Sequence, residues 1–132
     1  MPDELKAACL KSAELYERMG FTPPWISYVA VDEGRGVGGG AFVGAPRGGS
    51  VEIAYFSVAS LQGLGYATRT ARALLEIARR EDPKIAIKAF TLRERNPSVK
   101  ILERLGFEPV GEAHDEDAGC VWEWRLKPLD GP

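Results

Sequence analysis

The chain has 132 residues, of which 45% are hydrophobic and 27% charged, and these proportions are typical of one soluble domain with a single core. Its formal net charge of −2 and sequence pI near 5.5 argue against a nucleic-acid partner, which would require a basic surface. The 2 cysteines and 1 histidine lack the spacing of a metal site, so we expect no metal. We also expect no membrane partner and a cytoplasmic location, because no signal segment or run of about 18 apolar residues is found.

The first predicted element is an amphipathic helix over Asp3 to Met19, which ends at Gly20. Its apolar face predicts packing on a core, and the alternative is a helix that walls a substrate cleft. Cys9 in this helix and Cys120 near the C-terminus lie within apolar patterns, so both are predicted to be small buried side chains.

Three strands are predicted next. Residues 25–31 are rich in β-branched and aromatic side chains, and residues 37–43 read V-G-G-G-A-F-V. Three glycines in a strand predict either a bulge or a place where something packs close to the backbone. A third strand is predicted over residues 51–58.

A glycine-rich turn, Q-G-L-G-Y-A-T at residues 62–68, leads from the third strand into a long amphipathic helix that ends before Pro83. The first N–H groups of a helix have no intrahelical partner, and the helix dipole adds partial positive charge there. Such an end attracts phosphate, and Gly63 and Gly65 leave its backbone uncovered.

Three kinds of glycine-rich phosphate loop compete for this turn. A P-loop would require Lys and then Ser or Thr after its last glycine, whereas Tyr66 follows Gly65. A dinucleotide-binding loop fits loosely, but the next strand ends near Thr91 without an acid for a ribose. The third pattern, Q-x-x-G-x-A from Gln62 to Ala67, fits better.

The C-terminal part predicts a strand over residues 84–91, a helix that begins after Asn96, and two final strands. Asn is a favoured N-cap, Pro97 suits the first helical position, and Gly106 ends the helix. The strands at residues 107–113 and 120–127 are predicted to be antiparallel. The strand, helix and strand over residues 51–91 predict a right-handed crossover between parallel neighbours.

Taken together, Q-x-x-G-x-A, the strand E-I-A-Y-F at residues 52–56 and the segment T-L-R-E-R-N-P-S-V-K-I-L-E-R-L-G-F at residues 91–107 resemble GNAT superfamily N-acetyltransferases, particularly the ribosomal-protein N-acetyltransferase-like branch. The resemblance covers most of the chain. It implies an α/β (α+β) fold in a single domain over residues 1–132, with a mixed, splayed central sheet flanked by helices.

The resemblance implies acetyl-CoA as the acetyl donor, with no metal. The backbone of the strand end would line the pantetheine arm, the loop would hold the pyrophosphate, and the cap of the later helix would meet the pantetheine side. These cofactor-binding residues are Ser57, Val58, Gln62, Gly63, Leu64, Gly65, Tyr66, Ala67, Thr68 and Asn96. The adenosine phosphate would meet a basic residue that the sequence does not select among Arg69, Arg72, Arg93 and Lys100.

The implied reaction is direct attack by a primary amine, on a small metabolite or a polypeptide N-terminus. An alkylammonium with a pKa of about 10.4 must first lose a proton, and Glu52 is the best-placed base, although a solvated or ion-paired strand glutamate is the alternative. Backbone N–H groups near Ser57 and Val58 could stabilise the oxyanion. Ser98 is the candidate acid for the thiolate, because Leu102 stands where many relatives have a tyrosine, and its alternative is a hydroxyl bonded to the helix backbone.

Two departures from the family pattern qualify this function. Leu64 stands where a basic residue is usual, and the chain begins at a helix where the family has a strand, so a second copy in a homodimer could complete the acceptor side. The short N-terminus and the leucine at the usual tyrosine position, Leu102, motivate a second function, a non-catalytic CoA-binding module that senses or regulates. Trp25, Tyr28 and Tyr55 could line an apolar acceptor pocket or belong to the core.

Overall fold

A computed structural model of the chain describes residues 3–116 and 118–127. These residues form two compact units that divide between Ile85 and Ala86. The first unit contains helix α1 (Asp3–Met19), strands β1 (Ser27–Asp32), β2 (Arg35–Phe42) and β3 (Ser50–Ser57), a 3₁₀ turn (Ala59–Leu61) and helix α2 (Tyr66–Glu81). The second contains β4 (Ala86–Leu92), α3 (Pro97–Leu105), β5 (Phe107–Asp115) and β6 (Gly119–Leu126). The predicted mixed α/β class and order of elements are confirmed.

The strands of the first unit form an antiparallel sheet in the order β1, β2, β3. Gly40 at the centre of β2 lies opposite Tyr28 on one side and Tyr55 on the other. The register between β1 and β2 shifts at Ala30 and Val31, which is the irregularity that the glycine-rich strand predicted.

Helix α2 packs on this sheet and contributes four buried residues to the core of the first unit. Its buried residues recur at the predicted spacing of three and four, so they share one face of the helix. They meet Phe42 of β2 and the alternating residues Val51 and Ile53 of β3, all fully buried. The α2 residues are Ala71, Leu74, Leu75 and Ala78.

The second unit is built on an antiparallel sheet in the order β4, β6, β5, and the predicted pairing of the last two strands is confirmed. Helix α3 begins as predicted: the Oδ1 atom of Asn96 accepts a hydrogen bond from the N–H of Val99 at 3.1 Å. Trp124 is buried, and its Nε1 donates to the hydroxyl of Thr91 at 2.9 Å. The predicted crossover joins the two units and stays a prediction.

The expected burial of the cysteines is wrong, because both Cys9 and Cys120 are exposed. Helix α1 has one fully buried residue, Leu5, so the sheet covers a narrower strip of this helix than its apolar pattern predicts. Cys120 lies on β6 with its Sγ 3.4 Å from the carboxylate of Glu112.

In the described part of the chain, no helix combines the length and the apolar character needed to cross a membrane.

Candidate active site and cofactor loop

Strand β3 ends at Ser57, and its hydrogen bonds decide which N–H groups a ligand can reach. The N–H of Val58 donates to the carbonyl of Val37 at 2.8 Å, so this group is occupied within the sheet. In an antiparallel pair, hydrogen-bonded and non-hydrogen-bonded positions alternate, and the N–H of Ser57 therefore points away from β2. Of the two residues expected to supply an oxyanion donor, only Ser57 has its N–H directed outward.

The loop between the 3₁₀ turn and α2 has the backbone that the glycine pattern predicts. Gly63 and Gly65 have φ angles of 88° and 85°, and a Cβ atom at either position would meet no atom within 4 Å. Gly65 is the N-cap of α2 and provides no side-chain cap. The N–H groups of the first turn have no intrahelical partner, and neither glycine places a side chain beside them, so this arrangement fits a phosphate group. Leu64 between them is 60% exposed.

Tyr66, the first residue of α2, ties the loop to the turn between β1 and β2. Its hydroxyl donates to the carboxylate of Asp32 at 2.7 Å. This hydrogen bond and the charge of Asp32, together with desolvation, raise the pKa of Tyr66. The guanidinium of Arg69 lies over the Tyr66 ring, 4.9 Å from its centroid. Tyr66 is one of the predicted cofactor-binding residues, and its side chain holds the start of α2 against Asp32.

The four cations considered for the adenosine phosphate are not equivalent. Arg69 lies in the first turn of α2, directly after the loop. Arg93 is paired with Glu112 at 2.8 Å, and this hydrogen bond lowers the pKa of Glu112. Arg72 and Lys100 are exposed. The positions favour Arg69 over Arg93 in this role.

Asn96 and Ser98 lie at the start of α3 in the second unit. The Oδ1 atom of Asn96 caps the helix, so contact with a ligand would fall to its Nδ2 amide. Ser98 is half-buried within the first turn of the helix.

Glu52 lies near the middle of β3 and is half-buried. Side chains alternate along a strand, and Val51 and Ile53 point into the core, so Glu52 shares the opposite face with Ala54 and Phe56. Its carbonyl accepts from the N–H of Val43 at 2.9 Å.

A cavity of about 710 Å³ lies between α1 and the sheet of the first unit. This volume is within the range of roughly 300–1,000 Å³ typical of small-molecule sites. The side of α1 that faces the sheet forms one wall, and the central residues of the three strands form the other. The aromatic side chains that line it are Tyr16 and Phe56. The alternative considered for α1, a helix that walls a cleft, is the arrangement found.

None of the three aromatic residues considered for an acceptor pocket directs its side chain into this cavity. Tyr28 and Tyr55 both pair with Gly40, whose Cβ direction faces α2, so their side chains lie on the α2 face of the sheet and their backbone borders the cavity. Trp25 packs edge-on against Phe42 at 5.1 Å between ring centroids. Burial raises the pKa values of Tyr28 and Tyr55, so both phenols are neutral at physiological pH. The hydroxyl of Tyr28 donates to the carbonyl of Pro24 at 2.7 Å.

Glu4 is the functional candidate that the sequence did not single out. Among the described residues it is the only carboxylate in the lining of the cavity. Its Oε2 atom accepts a hydrogen bond from the N–H of Ala59 at 2.8 Å, directly after the end of β3. A polar residue in the first turn of an amphipathic helix gives no sequence signal for such a contact, because 55 residues separate the partners.

Within residues 3–116 and 118–127, no group of three or more His, Cys, Asp and Glu side chains could hold a metal ion.

Comparisons with known proteins give a consistent assignment. A family model described as an acetyltransferase (GNAT) domain matches residues 3–108. A search of curated protein sequences finds no match.

Solved structures give fold matches at low sequence identity. A GNAT-family acetyltransferase from Bordetella pertussis superposes with a TM-score of 0.70 at 21% identity, over 95% of this chain and 77% of its own. A mutant spermidine N-acetyltransferase from Vibrio cholerae gives 0.70 at 18% identity, over 86% and 71%. The aminoglycoside acetyltransferase AAC(6')-Ib in complex with coenzyme A gives 0.64 at 22% identity, over 77% and 65%.

Proposed function

The chain belongs to the acetyltransferase (GNAT) family, and from this premise we propose that it transfers an acetyl group from acetyl-CoA to a primary amine, on a small metabolite or a polypeptide N-terminus. The main support for the proposal is a hydrogen bond between a residue of the apolar cavity and the end of β3, shortly before the glycine loop. The carboxylate of Glu4, which lines the cavity, accepts from Ala59 at the end of β3. A site for an anionic cofactor and a site for an organic acceptor therefore adjoin one another.

In this proposal, acetyl-CoA supplies an acetyl group activated as a thioester. The loop and the first turn of α2 bind its pyrophosphate. The N–H of Gln62 donates to the carbonyl of Ala59 at 3.4 Å, so this residue would act through its side chain, and the other residues would act through their backbone. The binding residues are Gln62, Gly63, Leu64, Gly65, Tyr66, Ala67 and Thr68. The backbone at Ser57 and Val58 binds the pantetheine arm, and the N–H of Ser57 points toward the acyl oxygen. Asn96 contacts the pantetheine side through Nδ2.

The amine loses its proton to Glu52 through a chain of waters, because only the neutral nitrogen can attack and Glu52 lies five residues before Ser57 along β3. The C–N bond then forms as the C–S bond breaks, and Ser98 provides a proton or hydrogen bond to the departing thiolate. The position of Glu52 on the sheet face that carries Ala54 supports its role. Holding the amine against the thioester contributes much of the rate gain through orientation.

We propose four further assignments at a finer level. The segment at residues 91–107 favours the ribosomal-protein N-acetyltransferase-like branch. The family match across the boundary at Ile85 favours one acetyl-CoA-binding domain over residues 1–132. The net charge of −2 argues against a nucleic-acid partner, and we also propose a cytoplasmic location without a membrane partner. Helix α1 has Leu5 as its one buried residue, and this exposure motivates a homodimer, which sedimentation equilibrium tests directly.

The direct test is incubation of the purified protein with acetyl-CoA and a panel of primary amines, with release of free thiol as the signal. We expect amine-dependent thiol release and an acetylated product of the corresponding mass. Tight binding of acetyl-CoA without thiol release for any acceptor would contradict the proposal and favour a non-catalytic CoA-binding module.

Glu52→Gln tests the base. We expect kcat to fall by about 100-fold or more, because general-base catalysis typically contributes at least that factor, while acetyl-CoA affinity is unchanged. Glu76→Gln, the same change at an exposed residue of α2, is the control and should have no effect. An unaltered rate in Glu52→Gln would show that another group removes the proton.

A further inference from the structure

The cavity between α1 and the sheet differs in charge and polarity from a site for a polyamine or a sugar. We propose that the acceptor is a primary monoamine with an apolar body, and that its ammonium group docks at Glu4. This inference rests on the proposed function of the same site. It specifies the class of substrate and its orientation.

The apolar body follows from the walls of the cavity. Most of the lining is hydrocarbon or aromatic, and its aromatic side chains are Tyr16 and Phe56. A molecule with many hydroxyl groups would lose hydrogen bonds to water here without equivalent replacements. The apolar lining residues of α1 and of the strands are Leu5, Ala8, Leu15, Val29, Ala41, Val43 and Ala54.

The single amine follows from the charges of the lining. Glu4 is the only carboxylate among its described residues, whereas Lys11 and Arg18 contribute two cations. A polyamine or aminoglycoside carries several ammonium groups, and each one beyond the first would face these cations without a carboxylate of its own. The lining can therefore neutralise one ammonium group.

The orientation follows from the position of Glu4 at one end of the cavity. Its Oε2 lies 2.8 Å from the N–H of Ala59, two residues after Ser57, whose N–H is directed outward from β3. An ammonium group drawn to Glu4 is thus delivered to the end of β3, where the thioester is proposed to lie. Tyr16 and Val43, which also line the cavity, are then available to the apolar body.

Occupancy of the cavity can be measured without acetyl transfer, because Cys9 lines the cavity and is exposed. In a Cys120→Ser background, which removes the second exposed thiol, the rate of Cys9 modification by a maleimide reports access to the site. Phenethylamine should slow modification several-fold, and spermidine and kanamycin should not. Equal or greater protection by spermidine or kanamycin, or no protection by phenethylamine, would overturn the inference.

Glu4→Gln tests the docking of the ammonium group, because glutamine keeps an oxygen that can accept from Ala59. We expect the KM for phenethylamine to rise at least 10-fold while acetyl-CoA affinity stays constant. Glu14→Gln, the same change on an exposed part of α1 outside the cavity, should leave KM unchanged. An unchanged KM in Glu4→Gln would contradict the role of Glu4.

The two proposals fail in different ways. Protection of Cys9 by phenethylamine with no thiol release for any amine would support the binding site and contradict the acetyltransfer. Thiol release with spermidine at a higher kcat/KM than with phenethylamine would support acetyltransfer and overturn the acceptor class.

Discussion

The first unit has two glycine-rich stretches, one in strand β2 and one in the loop before α2. Glycine is required in each for a different physical reason. In β2, a Cβ atom on Gly38 would overlap the carbonyl oxygen of Phe56 and lie 2.9 Å from the Cα of Ser57. In the loop before α2, a Cβ atom on Gly63 or Gly65 would meet nothing within 4 Å, but the φ angles are 88° and 85°. The first stretch has no space for a side chain, and the second has space but a left-handed backbone.

This difference separates a structural glycine from a functional one. Glycine at Gly38 allows β2 and β3 to approach each other, so its role ends with the packing of the sheet. Glycine at Gly63 and Gly65 turns the chain into α2 and leaves the loop without side chains at these positions, and we propose that its role extends to binding a ligand. The substitutions below test whether space or backbone conformation decides each position.

The largest effect is expected at Gly38. Gly38→Ala should lower the free energy of unfolding by about 3 kcal/mol or more, because overpacking costs roughly 1–3 kcal/mol and here a backbone atom cannot rotate away. Urea unfolding monitored by circular dichroism measures the change. Gly48→Ala, at a position with φ of 59° and open space, is the control. Equal losses in the two variants would mean that lack of space does not explain Gly38.

The next effect is expected at Gly65 and concerns binding. Gly65→Glu should weaken acetyl-CoA binding by about 100-fold, or roughly 2.7 kcal/mol, since a carboxylate would lie over the N–H groups proposed to hold the pyrophosphate. Isothermal titration calorimetry gives the affinity. Gly48→Glu introduces the same side chain at another left-handed glycine and should bind normally. Retained affinity in Gly65→Glu would move the pyrophosphate away from this loop.

The loop was predictable because neighbouring residues determine its conformation. A turn with φ near 85° at Gly65 demands glycine, and the helix that follows shows its apolar period within a few residues. For the same reason the N-cap at Asn96 and the end of α3 at Gly106 were predicted correctly. Strand ends moved by up to two residues, since they depend on pairing with other strands.

The cavity was not predictable because it is formed by residues that are far apart in the sequence. Glu4 and Ala59 are separated by 55 residues, and the residues around each of them do not predict the hydrogen bond between them. The burial of Cys9 was misjudged for a related reason: the apolar pattern gives the direction of a helix face but not the width that a sheet covers. Likewise, the N–H of Val58 was expected to face a ligand, and only the register of β2 reveals its partner.

A smaller effect is expected at Gly40, where the obstacle is side chain rather than backbone. A Cβ atom there would lie 2.8 Å from Thr70 Cγ2 and 2.9 Å from Leu74 Cδ1 on α2. Gly40→Ala should therefore lower the free energy of unfolding by about 1–2 kcal/mol. In a Leu74→Ala background the same change should be nearly neutral, because the added methyl would enter the vacated space. Additive losses in this double-mutant cycle would exclude contact with Leu74 as the cause.

The smallest effect is expected at Gly65, where we compare the stability losses caused by alanine and by asparagine. The ranking of these two losses should be opposite at Gly65 and at Gly38. Gly65→Ala should lower the free energy of unfolding by about 1 kcal/mol, the typical cost of holding an ordinary residue in the left-handed region. Gly65→Asn should cost less, although its side chain is larger, because asparagine tolerates this conformation and can cap a helix. At Gly38, where space decides, asparagine should be worse than alanine. Urea unfolding of the four variants gives both orders, and the same order at the two positions would show that one cause governs both stretches.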